Sequence, residues 1–169
     1  MTLVELLAEA DERSLAASGL ACLDRCLPLL VDETDVLRPL WAGIAEGEEG
    51  WAERLAEARA ALDAAPDPGG TAAPVRKMIG AAPSEWAAGP LAEWAAACSS
   101  LALELHQELD PAGGTQGPLG GGEQRRQIQI LKLLARTPDG AGLRRALDVS
   151  KAGQRVLRAA LSRRARAGG

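Results

Sequence analysis

Apolar residues along this chain recur at steps of three and four, the spacing that stacks side chains on one face of a helix. The clearest case is 91–109, where Leu91, Trp94, Cys98, Leu101 and Leu105 form a seam widened by Ala95, Ala102 and Leu109. Pro90 suits a first helical position, where its missing N–H costs nothing, and Asp110-Pro111 predicts the stop. This helix is expected to be the packing element of the chain. Thr2 and Glu5 have the spacing of a capping box ahead of a short first helix. From Leu15 to Leu30 the stripe is so broad that deep burial is expected, with Gly19 and Ala16 admitting a close neighbour and Pro28 ending or kinking the helix.

Further on, Asp32 to Asp35 reads as a turn. A short helix follows, with Val36, Leu37, Leu40, Trp41 and Ile44 inward and Pro39 near its start. Gly47 to Gly50 separates it from a helix carrying Trp51, Leu55, Ala58 and Leu62 on one face and Glu53, Arg54, Glu57 and Arg59 on the other. Pro66 to Gly70 is a loop by composition. Pro74 opens a helix with Val75, Met78 and Ile79 inward, which Ala82-Pro83-Ser84 ends; Trp86 falls on the linking turn. Residues 110–122 read as a Gly/Pro-rich linker. Beyond them, Glu123–Arg136 forms a helix with Ile128, Leu131, Leu134 and Ala135 on one side. Thr137-Pro138-Asp139-Gly140 makes a turn. Leu143, Ala146 and Leu147 make a short helix, and Ser150 caps a last one with Val156, Leu157, Ala160 and Leu161 inward. There is no strand pattern of useful length and no repeat. The expected fold is all-α: an acidic helical bundle of five or six helices over 1–110, a linker at 111–122, and a small basic helical segment over 123–169, free or docked on the bundle.

Charge sharpens this division. Residues 1–122 hold 7 basic and 20 acidic side chains, a net −13, and residues 123–169 hold 12 basic and 3 acidic, a net +9. Such asymmetry points to an oppositely charged partner or to docking of one part on the other. It carries less weight for nucleic acid than usual. Phe, Tyr and Asn are absent and Arg outnumbers Lys sixteen to three, a bias that follows GC-rich coding. No apolar run approaches the ~20 residues needed to span a bilayer, and the first residues are acidic rather than a basic, apolar leader. A cytoplasmic protein without membrane association is expected.

Chemistry-bearing constellations are sparse. Cys22, Cys26 and Cys98 fit small buried hydrophobes in a reducing compartment. A zinc site built from them and His106 lacks the knuckle spacing of structural zinc. His106, the single histidine, has Asp110 one turn on but no nucleophile–base–orienter set, and a half-exposed surface position is expected. Gly117 to Arg126 places glycines and arginines at a helix N-terminus, yet no Gly-Lys-Ser/Thr ending follows, and Glu123 opposes an anion there. The acidic clusters lack the pattern of a calcium loop. No catalytic residue, cofactor or metal is expected.

The basic segment is the exception. Leu147-Asp148-Val149-Ser150 followed by Val156, Leu157 and Leu161 resembles the helix-turn-helix of bacterial regulators over Leu143 to Gly169. Arg144 and Gln154 stand where that motif usually has a small and an apolar residue. The resemblance implies that Lys151, Gln154, Arg155 and Arg158 face the groove of DNA, with Arg163, Arg164 and Arg166 on phosphates. Two functions follow as expectations. The first is a non-enzymatic adaptor or scaffold acting on a protein partner, a homodimer included. The second is a DNA-binding regulator using the C-terminal helices.

Overall fold

The computed structural model describes residues 2–32, 35–65, 72–111, 117–137 and 140–168. Among these residues the chain forms eight α-helices, two short 3-10 turns and no strand: α1 (Leu3–Glu9), α2 (Glu12–Cys26), α3 (Arg38–Glu46), α4 (Trp51–Asp63), α5 (Ala73–Ala81), α6 (Ala88–Leu109), α7 (Pro118–Arg136) and α8 (Gly140–Gly168). No helix of the described residues is long and apolar enough to cross a membrane. The expected turn at Thr137 to Gly140 and the loop at 66–70 fall in part or wholly outside the described residues.

Local chemistry sets most boundaries. The Thr2 side chain accepts from the Glu5 amide while the Glu5 carboxylate accepts from the Thr2 amide, so the capping box closes as its spacing requires. Asp11 caps α2 through the Ser14 amide at 2.8 Å, which turns Asp11-Glu12-Arg13-Ser14 into the start of a new helix. At Pro28 α2 gives way to a 3-10 turn over Leu27–Leu29. α3 ends at Gly47, whose φ of +74° is the one left-handed backbone conformation among the described residues.

The organising helix is α2, a correction to the expectation that gave this place to 91–109. Every residue from Leu15 to Cys26 is buried, and α3, α5, α6, α7 and α8 all pack against it. Gly19 lies under α6 so closely that a Cβ there would stand 2.6 Å from the Trp94 ring. The α6 seam also shifts from the expected one. Leu91, Trp94, Ala95, Cys98, Ser99, Ala102 and His106 are buried, while Leu101 and Leu105 are only half-buried. The expected seam kept a seven-residue repeat. A straight helix drifts ~20° per heptad from that repeat, so toward the C-terminus burial passes from 101 and 105 to 102 and 106.

The region after 110 departs further. α7 begins at Pro118, inside the stretch read as linker. Leu119 and Gly120 donate their amides to the Asp110 carboxylate, at 2.8 and 3.3 Å for the same oxygen. A carboxylate from the end of α6 thus satisfies the first free N–H groups of α7 and complements its dipole. The turn expected at Asp148-Val149-Ser150 is absent, because α8 is one helix across it. The Ser150 hydroxyl donates to the Ala146 carbonyl, four residues back, instead of capping. Leu143, Ala146, Ser150, Gly153, Gln154 and Leu157 form one uninterrupted buried seam. α7 and α8 pack on each other and on α2.

Candidate interaction surface and the polar core beneath it

Two adjacent residues of α2, Asp24 and Arg25, carry charge into the interior and each ties down a different C-terminal helix. Arg25 and Glu123 are both 0% exposed. The Arg25 Nε donates to Glu123 Oε1 at 2.5 Å and Nη2 to Oε2 at 2.7 Å, a two-pronged pairing of guanidinium and carboxylate. Gln127, one turn along α7, donates from Nε2 to Glu123 Oε2 at 2.8 Å and to the Ser99 carbonyl at 3.0 Å. Burial opposes both charges of the pair. Their mutual attraction outweighs it, holding the Glu123 carboxyl below its ordinary range and Arg25 above its own. Gly153 of α8 crosses this pair directly: a Cβ there would stand 2.5 Å from the Arg25 Cδ and 3.0 Å from the Arg126 Cδ.

His106 belongs to this cluster, which corrects the half-exposed surface position expected for it. It is fully buried. Its Nδ1 donates to the Ala102 carbonyl at 2.7 Å, which fixes the neutral tautomer with an unprotonated Nε2, 3.7 Å from Glu123 Oε1. Burial lowers its pKa, against the pull of Glu123. Among the described residues, His106 Nε2, Arg25 Nη1 and Gln127 Oε1 are buried without a hydrogen-bond partner.

Cys22, Cys26 and Cys98 are free thiols in the core. Burial pushes the Cys22 thiol up to about 11 and raises Cys26 and Cys98 well above their usual value, so all three are protonated and unreactive at neutral pH. Cys22 Sγ lies 3.9 Å from Ser99 Oγ. Among the described residues no set of three His, Cys, Asp or Glu side chains gathers as metal ligands would. A carboxylate, an imidazole and a thiol thus share one cluster, but each is spent on a neighbouring chain segment and none faces solvent.

Asp24, also 0% exposed, anchors the other side. Its carboxylate accepts from Trp41 Nε1 at 3.2 Å, Gln154 Nε2 at 3.0 Å and Lys151 Nζ at 3.4 Å, and its backbone carbonyl accepts from Gln154 Nε2 at 2.9 Å. Burial still raises its pKa, against the attraction of Lys151. These bonds set the register of α8 against α2 and α3.

The residues expected to meet DNA therefore separate into two groups. Gln154 is buried and bonded to Asp24, so it cannot face a groove in this packing. Lys151 lies within 4 Å of both Asp24 and Asp35, and Arg158 donates to the Asp32 carbonyl at 3.0 Å. Arg155, Arg163, Arg164 and Arg166 remain exposed. From Arg158 onward no residue of α8 is fully buried, so its last turns extend past the body. They overhang a groove of about 690 Å³ floored by Leu109, Leu119, Val156 and Ala160, with Arg163 and Arg164 at its rim. Comparison with protein-family models, curated proteins and solved structures returned no match to this chain.

Proposed function

We propose that this chain is a non-enzymatic interaction protein, an adaptor or scaffold, that presents the C-terminal turns of α8 to a protein partner. One observation carries the reading: the end of α8 leaves the body and displays Arg163, Arg164 and Arg166, while Arg155 and Val156, which is 36% exposed, face solvent on the turn before it. Basic residues around an apolar strip suit an acidic, partly apolar protein surface. The enclosed position of the His106–Glu123–Cys22 cluster supports a structural rather than a catalytic role for it.

The test is cross-linking with mass spectrometry on the full chain in its native cells, wild type against Arg163→Glu/Arg164→Glu/Arg166→Glu. A defined set of proteins captured by the wild type and lost from the variant is the expected result. Identical sets overturn the reading, and so does catalytic turnover abolished by His106→Ala.

A second reading, a DNA-binding regulator using the same helix, draws on the absence of any acidic residue after Asp148. Mixed-sequence duplex DNA titrated with the full chain across a salt series separates the two. Affinity falling steeply with log salt favours DNA, because phosphate contacts release counterions.

A further inference from the structure

Only two large hydrophobic side chains are exposed among the described residues, Val4 at 76% and Val156 at 36%. Their surroundings are complementary. On α1, Val4 and Ala8 form an exposed pair one turn apart, flanked by Glu5 and Glu9. On α8, Val156 and Ala160 form a pair of the same spacing in the groove, flanked by Arg163 and Arg164. One strip is acidic and the other basic, and each offers a valine and an alanine at its centre.

The same molecule cannot join them. The inner side of α1 packs beside Leu131, Leu134 and Ala135 at the far end of α7, while the groove is floored by Leu119 at its start. Twelve helical residues separate Leu119 from Leu131, roughly 18 Å at 1.5 Å per residue. We infer that α1 of one copy of this chain docks into the α6–α7–α8 groove of a second copy, Val4 against Val156, with Glu5 and Glu9 facing Arg163 and Arg164. The occupant is a second copy because the chain itself supplies the complementary strip. Two acids also line the groove: Glu108 is exposed and opposes the contact, whereas Asp110 is buried and accepts from the Leu119 and Gly120 amides. The two surfaces differ, so the contact is head-to-tail: it closes into a dimer or ring if the rotation allows and otherwise propagates. This inference rests on the interaction reading and specifies a partner for the same surface.

Sedimentation equilibrium of the full chain tests it, at concentrations up to about 1 mM, because so small a strip belongs to the weak class of interface. Salt is varied from about 0.01 M to about 1 M, over which the screening length falls from ~30 to ~3 Å. At low salt the average mass should climb above the 17.5 kDa monomer as concentration rises, and return to it at high salt. Val4→Lys/Glu9→Lys and Arg163→Glu/Arg164→Glu alter only exposed positions and leave the Glu5 cap intact. Each should be monomeric alone, with wild-type circular dichroism and melting. Mixed together they should associate again, since each then supplies the charge the other needs.

A wild type that stays monomeric throughout overturns the inference. Association that neither charge swap reduces overturns it too, as does a mixture that fails to recover. If the wild type is monomeric while the triple arginine variant still loses its cross-linked proteins, self-docking fails and the interaction reading stands. If the cross-linked sets are identical, that reading fails whatever the mass shows.

Discussion

Replacing Glu123 with Gln tests how the interior tolerates its charges. The substitution keeps shape and volume but removes the negative charge that two Arg25 donors use, at 2.5 and 2.7 Å. The guanidinium stays at 0% exposure, the neighbouring buried carboxylate of Asp24 is bonded to Trp41, Gln154 and Lys151 instead, and the new amide N–H₂ group crowds donors that need an acceptor. Breaking a buried ion pair by removing one member costs about 3–5 kcal/mol. Total stability for a chain of this size is about 5–15 kcal/mol, so the variant should be severely weakened. With a denaturant slope of about 2 kcal/mol per molar urea, a 4 kcal/mol loss moves the midpoint down by about 2 M. Arg25→Met should cost a comparable amount by leaving Glu123 unpaired. Arg25→Met/Glu123→Leu removes both charges together and should recover at least ~2 kcal/mol of the summed losses of Arg25→Met and Glu123→Leu alone, because an apolar replacement of a whole buried pair is often nearly neutral. Urea unfolding followed by far-ultraviolet circular dichroism reads all five proteins, wild type and Glu123→Leu included. Single losses below about 1 kcal/mol, or losses that simply add, would refute the reasoning and mean that solvent reaches the pair.

Three further outcomes follow from the same packing. Burial holds the His106 pKa below 6.5, so the unfolded chain takes up this proton first; stability is full above about pH 6.5 and falls as pH drops toward the folded value, by at most ~1.4 kcal/mol per unit. Urea midpoints of wild type and His106→Gln from about pH 7.5 to 5 should show that slope in the wild type alone; Glu123 loses its own contribution only below its unfolded value of 4.5, and the raised Asp24 carboxyl affects both proteins alike. Gly19→Ala gains up to ~1 kcal/mol of helix propensity, but its Cβ meets a rigid indole at 2.6 Å, so a net loss of about 1–3 kcal/mol and a lower melting temperature are expected; an unchanged or raised melting temperature would show that α6 yields. The three thiols should resist a disulfide-exchange reagent in the native protein and react together on unfolding, with a rate that follows urea concentration as global opening does; fast labelling in native buffer would contradict their burial.

Much of the element order was legible because it depends on local signals. The Thr2 cap, the stop at Pro28, the faces of α4 and α5 and the end of α6 all follow from residues within a turn of each boundary. The polar core was not legible, because its partners lie far apart along the chain: Arg25 and Glu123 are 98 positions apart. A signal was nonetheless present. The Asp24-Arg25 pair sits inside a run that is apolar on both sides, Leu20 to Leu23 before it and Cys26-Leu27 after it, and Glu123 and Gln127 share one stripe with Ile130, Leu131 and Leu134. Polar residues that interrupt a seam without breaking its period mark internal partners, whereas Asp148 and Ser150 were read as a turn although the seam through Ala146, Ser150 and Gly153 continued past them.

The charge division misleads for a related reason. The most deeply buried ion pair takes its cation from the acidic part of the chain and its anion from the basic part. A second, partly buried contact, Lys151 with Asp24, follows the division. Net charge by segment therefore sums groups already consumed inside with groups still facing solvent, and only the second kind can recruit a partner. Gln154 and Lys151 are held by Asp24, and Arg158 by the Asp32 carbonyl. The basic character left for an outside contact is concentrated on the last turns of α8, where the seam ends at Leu157 and no acidic residue follows. Burial of that seam fixes the direction of the helix, and its excess length carries the arginines clear of the body.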